Sequence, residues 1–197
     1  MKRILFPIII VFIILLSGCC KKTTFTKEEK TLIGSDITAG IMHLYTIEDK
    51  NELKILRLTA AELSQNDIKS EIYLTLKQRM LDTVLDSLNE GVGIAAPQVG
   101  ISKKLVAVQR FDKEGTPFEF YPNAEIEYYA PEYKFGMEGC LSVPNRKDSV
   151  NRSTMIVVRY NDEKTFTKCH DTISGFTAVI FQHETDHLKG ILYTDYK

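Results

Sequence analysis

His183 and His187 stand four residues apart in the run Gln182-His183-Glu184-Thr185-Asp186-His187-Leu188-Lys189-Gly190. On a helix, positions i and i+4 share one face, so the spacing predicts a helical segment that aims both imidazoles at one point. Two histidines one turn apart, with a carboxylate after the first, are the donor set of metal-assisted amide hydrolysis. Glu184 then lies beside the shared face, within reach of a water at the ion's open position. The same pattern occurs on ordinary amphipathic helices, and it also suits a zinc endopeptidase. What decides between these readings lies elsewhere in the chain, at Cys140 and Gln98.

The N-terminus reads as a targeting segment. Lys2 and Arg3 precede an apolar run from Ile4 to Leu16, which is short for a membrane span and has the length of a signal h-region. Leu16-Ser17-Gly18-Cys19 follows and resembles a bacterial lipobox, in which cleavage precedes the cysteine and its thiol carries diacylglycerol. This reading divides the chain into a signal peptide (1–18), a lipid-anchored polar tether (19–52) and a catalytic domain (53–197). The alternative is an uncleaved anchor. Either places the domain outside the cytoplasm, held at a membrane surface on the periplasmic or cell-surface side. The 197 residues suffice for one domain and a tail. A net charge of −1, without a basic stripe, sets nucleic acid aside as a partner.

Apolar residues recur every four positions from Ile68 to Leu88, with Leu74, Leu81 and Leu85 beside them. They predict an amphipathic helix, capped by Asn66 or Asp67 and ended by Gly91. Short β-branched or aromatic runs follow at 104–111, 118–121, 124–129, 154–160 and 165–170, with 161–164 as a hairpin turn. Ser174 is positioned to cap a last helix over 175–189, with Gly190 as its stop. Helix, antiparallel strands, then helix is an α+β order. His43 and His170 read as surface histidines.

Three segments carry the chemistry. Gly91-Val92-Gly93-Ile94-Ala95-Ala96-Pro97-Gln98 has little side-chain bulk, so a ligand can approach its backbone, and Gln98 offers an amide donor to a developing oxyanion. Glu138-Gly139-Cys140-Leu141-Ser142 offers a thiolate as third ligand beside the two histidines. Three protein ligands and one open position distinguish a catalytic ion from a structural one. Glu138 is suited to hold a loop or a neighbouring group in place. Asp186 is rotated away from the histidines and reads as a structural partner. A Cys140–Cys169 disulfide is the competing use of the thiol in an exported protein.

In this order and spacing the three segments resemble the signature motifs of the peptide deformylases, over roughly 53–197. The resemblance implies antiparallel β-sheets packed around a central metal-binding helix, with an N-terminal helix. It implies one divalent metal ion on Cys140, His183 and His187, typically Fe(II), with Zn(II) or Ni(II) as replacements. Glu184 would act as general base and then general acid, and Gln98 and the Leu141 backbone N–H would steady the oxyanion. Val92, Gly93, Glu138 and Gly139 would meet the peptide, and Phe176, Val179 and Ile180, with Val92, would line a pocket for a methionine-like side chain. The implied reaction is attack of a hydroxide generated at the ion on the formyl group of an N-formyl-methionyl peptide, releasing formate, by a monomer. An envelope hydrolase of other N-formyl or N-acyl amides, and an inactive formyl-peptide binder, are the alternatives. Two features depart from the family pattern. A lipobox is unusual in a family that serves nascent chains in the cytosol, and the peptide-holding arginine after the Cys motif corresponds to Arg146 or Lys147. The short C-terminus predicts no C-terminal helix.

Overall fold

The computed structural model describes residues 23–34 and 40–196. The signal peptide and Cys19 lie outside the described residues. Five helices are seen among those described: α1 (Lys27–Gly34), α2 (Lys50–Leu56), α3 (Gln65–Ile68), α4 (Glu71–Leu85) and α5 (Gly175–His187). Eight strands complete the fold: β1 (Gly93–Ala95), β2 (Leu105–Gln109), β3 (Phe118–Pro122), β4 (Glu125–Tyr129), β5 (Tyr133–Cys140), β6 (Val143–Ser153), β7 (Met155–Asn161) and β8 (Lys168–Ser174). They form sheets ordered β1-β2-β3 and β4-β7-β8 and a hairpin β5-β6, all antiparallel. α5 runs among them, touching β1, β2, β4, β6, β7 and β8. The class is α+β.

The long helical pattern is split in two. Ser64 caps α3 in a capping box with Asp67, and Ser70 caps α4, so neither Asn66 nor Asp67 is the cap. Hydroxyls so placed compete with the helical ladder and favour a fresh start. Tyr73, Leu76, Met80 and Val84 form the buried stripe of α4. Leu74 and Leu85 face solvent, and Leu88 is 92% exposed because the helix has already ended at Leu85. The five expected strands are present within a few residues, and the β7-β8 turn is widened by Phe166 at φ 62°. The β5-β6 hairpin and β1 were not expected, since their runs show no clean apolar alternation.

The expected tether is largely part of the fold. Phe25, Ile33 and Met42 are buried in one core cluster with Leu76 and Met80. The Thr24 backbone N–H and hydroxyl donate to Asp67 at 2.6 and 2.8 Å. The buried Arg79 donates to the carbonyls of Leu32, Ile33, Gly40 and Ile41. Folded structure therefore begins by Thr23, not at Leu53. The apolar anchors of this arm are too widely spaced to register as a period.

Burial alone would raise the Asp67 carboxyl, but the donors from Ser64 and Thr24 outweigh it and hold it below its ordinary value. Its stabilisation is therefore present above the unfolded carboxyl's value, roughly pH 4, and is lost as pH falls through the lower folded value. Asp67→Ala should lower unfolding free energy by about 1–3 kcal/mol. Hydrogen exchange should show faster amide exchange in Thr24–Gly34 than elsewhere; unchanged exchange there would refute the pinning role.

Candidate active site

α5 begins at Gly175, where φ is +65°, and Ser174 precedes it without a side-chain cap. Nearly every face of the helix is buried, beyond the one-sided stripe its sequence suggests. Its polar groups are matched individually. Gln182 bonds the backbone N–H and carbonyl of Ser153 at 3.0 and 2.9 Å. Asp186 accepts from Arg152 Nη1 at 2.6 Å, which makes it a structural partner.

His183, His187 and Cys140 are brought together, with their ligand atoms within 4.8 Å of one another. The Cys140 Sγ lies 3.3 Å from His187 Nε2. His183 Nδ1 is 2.8 Å from Glu138 Oε2, an arrangement that makes Nδ1 the donor and turns Nε2 toward the thiol. Glu138 also accepts from Arg152 Nε at 2.7 Å and Nη2 at 3.0 Å. Burial would lift its carboxyl, but Arg152 and His183 outweigh that and hold it at about 2. With both oxygens engaged by Arg152 and His183, Glu138 holds a neighbouring group in place, one of its two expected roles, while it also lines the cavity. Arg152, which makes this possible, was not foreseen, because its pairing depends on hairpin register and not on local pattern.

The donor set fits a divalent ion. Burial pushes the His187 imidazole well below its ordinary value, leaving it neutral as ligation requires. Burial opposes protonation of His183 too, but the Cys140 thiol and Glu138 outweigh it and raise it to about 10, the response of a site that attracts positive charge. Glu184 is 4% exposed and its Oε2 has no partner. Burial, reinforced by Glu138 and Asp186 and opposed by His183, pushes its carboxyl up to about 7. Both Cys140 and Cys169 are free, so the disulfide is absent.

Gln98 sits in a 3-10 helix, Ala96–Val99, that follows β1. Its Oε1 accepts from the Ala95 N–H at 2.8 Å, which aims Nε2 at Ser142 Oγ (3.3 Å) and Cys140 Sγ (3.6 Å). A Cβ added to Gly93 would stand 2.6 Å from Glu184 Oε1 and 2.8 Å from Ile180 Cγ2. Val92, Gly93, Gln98, Glu138, Gly139, Cys140, Leu141, Phe176, Val179, Ile180, His183 and Glu184 all line one cavity of about 850 Å³. His187 lies beneath it, 1% exposed. Arg146 and Lys147 stand at its rim, and Arg146 pairs with Asp148 at 3.2 Å. Tyr193, unforeseen, stacks on His183 with ring centroids 6.0 Å apart. His43 pairs with Glu52, and His170 with Glu127, both at the surface. Among the described residues the chain ends in a 3-10 turn, Tyr193–Asp195, without a C-terminal helix.

The family profile described as polypeptide deformylase matches residues 41–197. The chain belongs to the polypeptide deformylase family. A peptide deformylase of Leptospira biflexa is 38% identical over 148 residues, covering 72% of this chain and 81% of that one. Peptide deformylase 2 of Bacillus cereus is 35% identical over 159 residues, covering 72% and 83%. The Met-Ala-Ser-bound class I type b peptide deformylase of Acinetobacter baumannii superposes with a TM-score of 0.70 at 34% identity, covering 80% of this chain and 98% of that one. The actinonin-bound form of that enzyme gives 0.69 at 35% identity, with coverage of 80% and 98%.

In this deformylase a methyl group added at Gly93 would collide with the Glu184 carboxylate. Gly93→Ala should displace the carboxylate and lower kcat/KM about 100-fold, with metal stoichiometry unchanged. Activity within a few-fold of wild type would show that the carboxylate has room to move.

Proposed function

We propose that this chain removes the formyl group from N-formyl-methionyl peptides as a lipid-anchored enzyme of the bacterial envelope. The observation that carries the reaction is Glu184, a buried carboxylate with an unpartnered oxygen beside a Cys-His-His donor set. A divalent ion on Cys140, His183 and His187 would supply Lewis acidity and bring a water's pKa toward ~7.

The chain's own groups do the rest. Glu184 Oε2 takes a proton from the attacking water and delivers it to the departing amine, which is a poor leaving group until protonated. Gln98 Nε2 donates to the formyl oxygen as negative charge builds, with the Leu141 N–H as second donor. Val92, Gly93 and Gly139 present backbone to the peptide, while Phe176, Val179 and Ile180 receive the methionine-like side chain. The bulk-free wall at Gly93 suits an acyl group as small as formyl. The Met-Ala-Ser complex of the Acinetobacter relative supports a peptide of this kind.

Glu184→Ala should lose about 10²–10⁴-fold in formate release from formyl-Met-Ala-Ser while retaining its ion. Equal cleavage of N-acetyl-Met peptides would move the assignment to the wider class of N-acyl amides. Binding without turnover by the metal-loaded wild type would favour the inactive binder.

The anchor reading rests on the lipobox-like residues 16–19. Thr24, pinned by Asp67 and by Lys103 Nζ, stands five positions after Cys19. Five residues of chain reach at most about 17 Å, so the monomer would ride close to the bilayer. No helix among the described residues is long and apolar enough to cross a membrane. Fe(II) held by a thiolate is vulnerable in oxidising surroundings, so Zn(II) or another oxygen-tolerant ion such as Ni(II) is the proposed resident. Cys19→Ala should move the protein from membrane to soluble fractions, and wild type isolated from the envelope should carry zinc; iron alone would overturn the metal assignment.

A further inference from the structure

The active-site cavity has a neighbour. A second cavity of about 260 Å³ lies between β5 and the start of α5, and Met137, Glu138, Phe176 and Val179 line both. Phe176 and Val179 thus border both the proposed side-chain slot and this space. The second cavity is also lined by Gly136 and Val150, paired across the hairpin. Gly136 lies two positions before Glu138, on the same face of β5.

Gly136 is what leaves the space open. An added Cβ there would meet nothing within 4 Å, and its φ is not in the left-handed region. The backbone therefore does not demand glycine. Two charged groups of the lining, Arg152 and Glu138, are bonded to each other, and Lys134 is exposed. Met137 and Phe176, at 68% and 57% exposure, leave apolar surface at the junction that a ligand would cover.

We propose that the second cavity continues the slot for the substrate's first side chain. The preferred substrates are then N-formyl peptides whose first residue carries an unbranched apolar side chain longer than that of methionine. This rests on the deformylase reading of the main site.

The test compares formyl-X-Ala-Ser peptides in which X carries an n-butyl, n-hexyl or n-octyl side chain, beside formyl-Met-Ala-Ser, using the metal-loaded protein. Each methylene removed from water is worth about fourfold, so kcat/KM should rise about 16-fold from n-butyl to n-hexyl. Gly136→Leu, which fills the gap, should abolish that rise and leave formyl-Met-Ala-Ser turnover within about twofold. Dissociation constants of the same peptides on Glu184→Ala protein, by calorimetry, should follow the same order. A fall in kcat/KM beyond n-butyl overturns the proposal. So does an equal loss on every peptide in Gly136→Leu, or a preference that follows the third residue of the peptide. If the metal-loaded protein cleaves no formyl peptide at all, the deformylase reading itself fails and this inference goes with it.

Discussion

Arg152 lies between Glu138 and Asp186, 4% exposed, and joins the β5-β6 hairpin to α5. The hairpin carries Cys140 and the helix carries the two histidines, so the metal donors meet only where this guanidinium clamps their elements together. A buried charge is costly unless it is paired, and removing one member of such a network costs about 3–5 kcal/mol by leaving the others exposed to the low-dielectric interior. Glu138 then passes the order on to His183, fixing its ring and its tautomer. The geometry of the ligands is thus supported by ion pairing one layer further out.

Much of the site was legible because chemistry at a metal restricts residue types severely. His183, Glu184, His187, Cys140 and Gln98 declare themselves by identity and spacing, and each reaches the same cavity or lies directly beneath it. The fold was legible where a period existed, in α4, α5 and five strands. It was obscure where side chains alternate without contrast. β6 carries Asn145, Arg146, Lys147, Asp148, Ser149, Asn151 and Arg152, and its meaning depends on which residue each one faces across the hairpin. The partner of Glu138 was hidden for the same reason: Arg152 is 14 positions away and adjacent only after pairing. The N-terminal arm was mistaken for a tether because three buried apolar residues, spread from Phe25 to Met42, give no periodic signal.

The centre of the molecule is an uncommon use of a helix. α5 is buried on almost all sides yet carries Gln182, His183, Glu184, Thr185, Asp186 and His187 in succession. Each polar group buried there must find a partner or cost several times what a surface residue would. Gln182, Thr185 and Asp186 find theirs within the protein. Glu184 keeps one oxygen unmatched. The helix therefore leaves two buried polar atoms unmatched, Glu184 Oε2 and His187 Nδ1, both at the end that carries the metal donors.

The far end of the same helix is tied down from two directions. Arg57, at the end of α2, bonds the Gly190 carbonyl and pairs with Asp195, while the Tyr196 hydroxyl reaches Asp186 at 2.8 Å and its ring lies under Arg152. Asp186 is the immediate neighbour of the ligand His187. A load applied behind Tyr196, by a fusion partner or by immobilisation on a support, would pull on Asp186 and Arg152 beside the metal pocket as well as on Arg57, so the tail is a poor place to attach anything.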